Sequence, residues 1–279
     1  MSVDVRAVAI RFADLWAVDP HQMVDEIYAD DIEMENMASP ARVVLGSEQL
    51  HAVEDRLAAM IPEHRHELIR VIVDGGMACL ETTIVSPTTH EYAPACLWWW
   101  LDERGKVAAE IGWFNWDDRS TDAIRSHGTV PASRPACAAP RDPAWHVTMA
   151  EAYVHGWSND PVGSALEMFA IDCTFGHVGS AESKGLDVLR QSRQRALDRL
   201  SAPQHMQLHR VISDGSAVAM LITISDATHV TRGSVVVTFD SSDLIVSERS
   251  YYDRSKALPR AETGPRRNVG SPGWTLRGQ

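Results

Sequence analysis

Residues 12–20 read FADLWAVDP and residues 153–161 read YVHGWSNDP, pairing Trp16 with Trp157, Asp19 with Asp160 and Pro20 with Pro161 at a separation of 141. The register continues toward the C-terminus. Asp31 pairs with Asp172, Gly46 with Gly185, Arg70-Val71-Ile72 with Arg210-Val211-Ile212, Asp74-Gly75 with Asp214-Gly215, Asp102 with Asp240 and Glu110 with Glu248, at separations of 138 to 141. A spacing held over a whole unit means one fold used twice.

Each unit reads as helix, helix, strand, helix, then four strands. Val8, Phe12, Leu15 and Trp16 make one apolar helical stripe, repeated by Met149, Tyr153 and Trp157. Asp19-Pro20 and Asp160-Pro161 read as an N-cap followed by proline in the first helical position of a second short helix, ending near Ala29 and Ala170. Leu50, Val53, Leu57 and Met60 mark the third helix after Gly46. The strands 67–74 and 77–86 turn at Asp74-Gly75; the last hairpins turn at Asp102 to Gly105 and at Asp240 to Asp243. Helices grouped on one face of a curved, mostly antiparallel sheet give an α+β fold of two tandem cones with three helices each.

The domain reading is 1–126, a linker at 127–143 rich in Pro, Ala, Ser, Gly and Arg, 144–254, and a tail at 255–279 whose three prolines and four glycines bury too little apolar area to order it. Lys and Arg number 26 against 38 Asp and Glu, a net charge of −12, which disfavours nucleic acid as a partner. No apolar run is long enough for a membrane span and the N-terminus lacks the apolar core of a secretory signal, so a cytoplasmic protein is expected. Four cysteines without a CxxC pair predict neither disulfides nor zinc. His64 and His66 are spaced for one strand face, but without a third ligand they read as surface histidines, and no metal site is expected. The glycines form no phosphate loop, so no nucleotide site is expected and no cofactor is implied.

The element order and the string Tyr28-Ala-Asp-Asp-Ile-Glu-Met-Glu-Asn36 resemble the nuclear-transport-factor-2-like superfamily, which includes ketosteroid isomerase, SnoaL-like cyclases and limonene epoxide hydrolase. The tandem arrangement is similar to the polyether epoxide hydrolases, and that similarity implies an intramolecular pseudo-dimer, open to further homodimerisation. In the isomerases a tyrosine on the first helix donates to the substrate oxygen and a carboxylate ending the first strand moves the proton. The corresponding positions are Phe12 and Asn36 in the first unit, Tyr153 and His177 in the second; the isomerases' additional buried acid falls at Leu97 and Val235. Asn36-Met37 resembles the Asn-Met pair of limonene epoxide hydrolase, but that family's Asp-Arg-Asp positions fall at Glu81, Thr83 and Gly112.

The resemblance implies a cofactor-independent acid–base enzyme acting on a hydrophobic small molecule of polyketide, terpenoid or steroid type. The expected site is the second cone, with Tyr153 polarising an oxygen, His177 moving the proton and Glu248 orienting one of them. The alternative puts epoxide hydrolase or cyclase chemistry in the first cone: Glu81 and Glu110 form an acid–base pair on faces expected to line the cone, and Asn36 places water. A non-catalytic binding or scaffold protein is the third reading. Trp16, Trp99, Phe114, Trp157, Thr223 and Tyr252 are the expected substrate-binding residues; Trp99 should face opposite to Trp98 and Trp100. Glu248 also has a simpler reading as one half of an ion pair with Arg210 or Arg70, and Glu81 as part of a solvated strand edge.

Overall fold

Three helices begin on the same device, an aspartate accepting backbone N–H groups of the first turn. Asp4 takes the N–H groups of Arg6 and Ala7 and opens α1 (Val5–Trp16). Asp19 takes that of Gln22 and opens α2 (Pro20–Ile27) with Pro20 in the first turn, and Asp142 does the same for α4 (Pro143–Asn159) through Ala144. The computed structural model describes residues 3–36, 43–61, 63–86, 91–114, 142–177, 182–199, 203–227, 229–252 and 258–259. It divides into two units.

The first unit continues from α2 through β1 (Tyr28–Asn36), β2 (Val43–Leu45), α3 (Ser47–Met60), β3 (Arg65–Asp74), β4 (Met77–Ser86), β5 (Glu91–Leu101) and β6 (Val107–Phe114). After α4 the second unit runs through a 3-10 turn (Ser164–Met168), β7 (Phe169–His177), β8 (Ser183–Lys184), α5 (Leu186–Asp198), β9 (His205–Ser213), β10 (Ala217–Ser225), β11 (His229–Phe239), β12 (Ile245–Tyr251) and β13 (Leu258–Pro259). The sheets are ordered β2-β1-β6-β5-β4-β3 and β8-β7-β12-β11-β10-β9, the same path twice. Within each path only the β1–β6 and β7–β12 pairs are parallel. Repeat and α+β architecture are therefore as the sequence indicated.

The curvature has a local origin. β3 skips a residue between Leu68 and Arg70 against β4, and β9 skips one between Leu208 and Arg210 against β10, so a bulge bends each sheet at the same place. In the first unit α1 packs on β3, and Phe12, Leu15 and Trp16 are buried with Leu80, Leu97 and Trp99. In the second, α4 packs on β9, burying Tyr153 with Met220, Val235 and Val237.

Two expectations are corrected. The segment after Asp160-Pro161 is not an α-helix: Gly163 sits at φ −111°, ψ −103°, and the chain continues in a 3-10 turn while Asp160 takes the Ser164 N–H. Glycine is the poorest helix former short of proline, by ~1 kcal/mol relative to alanine, and Gln22-Met23 stands where this unit has Gly163-Ser164. The turn lies so close to α4 that a Cβ on Gly156 would meet the Ala165 Cα at 2.9 Å. Part of the tail is also ordered, because Leu258 and Pro259 pair with Val230 and His229 on the edge of β11. Apart from Asp142 and Pro143 the linker lies outside the described residues, as does the rest of the tail.

Candidate functional site

In the first cone two carboxylates sit among aromatic rings. Glu110 pairs across the sheet with Trp99 and lies beside Met34 of β1. Its Oε2 accepts the Tyr28 hydroxyl at 2.7 Å and the Trp99 indole N–H at 2.7 Å. Glu54, on α3, accepts the Trp16 indole N–H at 2.6 Å. Burial pushes the Glu54 carboxyl up to about 8, with the Glu110 charge adding to it, and burial pushes Glu110 up to about 7 against its two donors. His66 packs its ring 3.6 Å from that of Trp16 and 4.9 Å from Phe12, and burial holds its pKa well below the ordinary histidine value. These groups hold protons near neutrality as carboxylic acids, beside an imidazole that stays neutral.

The second cone answers the same problem with a cation. Glu248 pairs across the sheet with Val237 and lies beside Phe175 of β7, the register of Glu110 repeated. Its Oε2 accepts the Tyr153 hydroxyl at 2.9 Å and an Arg193 N–H at 3.0 Å. Arg193, on α5, is buried, its guanidinium 5.0 Å from the Trp157 ring centroid and 4.9 Å from that of Phe169. Burial, reinforced by the Glu248 charge, raises the Tyr153 phenol well above its ordinary range, so it stays protonated and donates. Further along the same face His177 stacks on Tyr252 at 4.4 Å, and its Nδ1 lies 3.1 Å from the Ser250 carbonyl. A carbonyl only accepts, so Nδ1 carries the proton and a neutral His177 has its lone pair on Nε2.

The structure thus brings Tyr153, Glu248 and Arg193 into one cluster and places His177, Tyr252 and Trp157 on the same cone-facing side of their unit. Trp16 and Trp99 face the first cone, where their indoles hold the two carboxylates, and Trp99 does point away from Trp98 and Trp100, whose rings lie 6.3 Å apart. Asn36 is half-buried at the end of β1, beside Gly112, two residues beyond the level of Glu110. Phe114 closes β6 opposite Ala95, its side chain outside the described atoms, as is Met37.

Four expectations are not met. Glu81 does not share the first cone with Glu110: it pairs with Cys96, one residue out of phase with the Leu97 and Trp99 face, and its carboxylate lies 3.2 Å from Arg70. Strand alternation was read correctly within each strand, but pairing between strands puts the two glutamates on opposite faces. Thr223 likewise lies out of phase with Met220, Ile222 and Ile224 of the core, and its hydroxyl meets His209 at 3.1 Å. His64 and His66 are buried rather than on the surface, packed on Trp16. The ion-pair partner of Glu248 is Arg193, neither Arg210 nor Arg70.

Glu54, Tyr28, His66 and Arg193 were missed. The sequence carried a signal for two of them: Glu54 falls on the stripe of Leu50 and Leu57, and Arg193 on that of Leu186 and Leu189, so each is a charge on an apolar helix face. Among the described residues no group of three His, Cys, Asp or Glu side chains could hold a metal, and no helix is long and apolar enough to cross a membrane.

Residues 9–110 match the family model of the SnoaL-like domain. The match falls within the first unit. The second repeats its strand path, so the chain holds two units of one α+β fold in tandem. Solved structures similar to parts of this chain include SalBIII, an epoxide hydrolase/cyclase-like enzyme of pyran ring formation in the polyether salinomycin: 17% identity, 42% of this chain, 98% of that one, TM-score 0.38. A limonene-epoxide-hydrolase-like epoxide hydrolase of M. tuberculosis matches at 18% identity over 40% of this chain and 86% of its own, TM-score 0.34. A protein of ketosteroid isomerase-like fold from Catenulispora acidiphila, solved with trimethylamine, matches at 12% identity over 42% and 88%, TM-score 0.35. No curated protein matches the sequence.

Proposed function

We propose that this protein is a general acid–base enzyme acting on a hydrophobic small molecule of polyketide, terpenoid or steroid type, and that the second cone is its site. The observation that carries this is the buried Tyr153–Glu248–Arg193 cluster with His177 and Tyr252 on the same face. The Nδ1 contact to Ser250 fixes the His177 tautomer and leaves Nε2 as the basic nitrogen, suited to abstract or relay a proton at neutral pH. Glu248 holds the Tyr153 phenol in place, and the Arg193 guanidinium pairs with Glu248 within the apolar wall. A site of this kind serves isomerisation, cyclisation, dehydration or epoxide opening, reactions that need a proton moved, and the residues named supply that movement without a cofactor.

A second reading rests on a different observation. Glu110 and Glu54 titrate near neutrality, which suits a first-cone carboxylic acid for epoxide opening. One experiment separates the two. Hydrophobic metabolite extract is incubated with wild type, His177→Ala and Glu110→Gln, and products are followed by mass spectrometry. Loss of ~10²–10⁴ in rate for His177→Ala alone is expected; loss in Glu110→Gln alone moves the chemistry to the first cone. A compound retained and released unaltered by all three makes the chain a binding protein.

A further inference from the structure

The repeat exposes two buried donors that the acid–base cluster leaves unused. Trp16 and Trp157 stand at equivalent positions of the repeat, and each carries a buried indole N–H. In the first unit the third helix offers Glu54, and Trp16 donates to it at 2.6 Å. In the second unit the residue in register with Glu54 is Arg193, a donor itself, and the buried Trp157 Nε1 has no partner. Arg193 is only partly used: one terminal nitrogen meets Glu248 at 3.0 Å, the other reaches the Pro161 carbonyl at 3.4 Å, and the buried Nε has no partner. The guanidinium lies 5.0 Å from the Trp157 ring centroid, so the orphan donors are neighbours. A buried donor left without an acceptor is costly, and two together favour an acceptor brought from outside the chain.

Resting on the reading of the second cone as the ligand site, we infer that Trp157 Nε1–H and Arg193 Nε–H bind an uncharged oxygen acceptor of the ligand, a carbonyl or epoxide oxygen. The Tyr153 hydroxyl, which the family resemblance would assign to that oxygen, is committed to Glu248 at 2.9 Å. The charge of the acceptor follows from the pair already present. Glu248 balances Arg193, so a carboxylate ligand would bury a second negative charge around one guanidinium, whereas a ketone or epoxide adds none. The Trp157 and Phe169 rings, both within 5.0 Å of the guanidinium, make the surroundings of that oxygen apolar and suit an apolar body attached to it.

Three probes of one shape test this on the full chain: 2-acetylnaphthalene with a neutral carbonyl, 2-ethylnaphthalene with none, and 2-naphthoate with an anion. Indole N–H resonances are followed by NMR on tryptophan-labelled protein, with Trp157 assigned from Trp157→Phe, and affinities are read from the titrations. The ketone should shift the Trp157 signal downfield and bind at least tenfold more tightly than the hydrocarbon, the factor of about tenfold being expected for each hydrogen bond, and more tightly than the naphthoate. Trp157→Phe should remove that advantage while leaving 2-ethylnaphthalene binding unchanged. Arg193→Lys, which keeps a cation beside Glu248 but loses Nε, should weaken the ketone in the same selective way. Equal affinities for ketone and hydrocarbon, tightest binding of naphthoate, an unmoved Trp157 signal or no binding of the ketone each overturn the inference. Turnover lost in His177→Ala together with any of these sinks the donor pair while the acid–base site stands.

Discussion

Both cones bury a glutamate at the same sheet position, Glu110 and Glu248, and both give it a tyrosine hydroxyl, yet they differ in how the charge is handled. In the first the tyrosine is Tyr28, where the second has Phe169; in the second it is Tyr153, where the first has Phe12. The hydroxyl has changed places and its target has not. The facing helix supplies Glu54 in one unit and Arg193 in the other, so the first cone neutralises its carboxylate with protons and the second with a guanidinium. One fold thus keeps a buried acid by two routes, and a single helix position decides which.

The comparison breaks most visibly at that position. Arg193→Met leaves the buried Glu248 without its cation, and should cost about 3–5 kcal/mol of stability in urea unfolding; a loss below about 1 kcal/mol would mean that the pair contributes little. Next, Tyr153→Phe should cost about 1.5–3 kcal/mol, as for a hydrogen bond to a charged group. Phe169→Tyr added to it moves the hydroxyl to the place it has in the first cone and should restore part of the loss; no recovery would show that the two tyrosine positions are not interchangeable.

The pH dependence should divide the units. Glu54 and Glu110 are raised from 4.5 to about 8 and about 7, so the folded first unit holds protons that the unfolded chain has released. Their contribution is full below 4.5 and is lost as pH rises through about 7 and then about 8, at most by about 1.4 kcal/mol per pH unit for each group. Urea midpoints compared at about pH 5 and about pH 8.5 should fall for wild type and fall less for Glu54→Gln; identical slopes would remove Glu54 as the source. The smallest effect is expected of Trp99→Phe, which takes one donor from Glu110, about 1 kcal/mol, and raises its pKa further.

The repeat, the two cones and the direction of Trp99 were legible because they depend on periodicity and on equal spacing, which are properties of the chain alone. Tyr153 was legible as a candidate through the family resemblance and Glu248 through its recurrence at the position of Glu110, and they do meet. Their partner was not, because Arg193 lies 55 residues from Glu248 and only the packing of α5 on β7 joins them. Glu81 shows the complementary failure: its strand was read correctly, but its face could not be known before the pairing with β5 was.

By itself, then, the sequence determined that one α+β unit occurs twice and which side chains share a face along each helix and strand, since local geometry repeats every 3.6 or two residues whatever surrounds it. The tertiary structure decided which faces meet. Hydrogen bonds, ion pairs and proton affinities depend on distances of about 3 Å between residues remote in sequence, and these exist only once the sheets have curved and the helices have closed them.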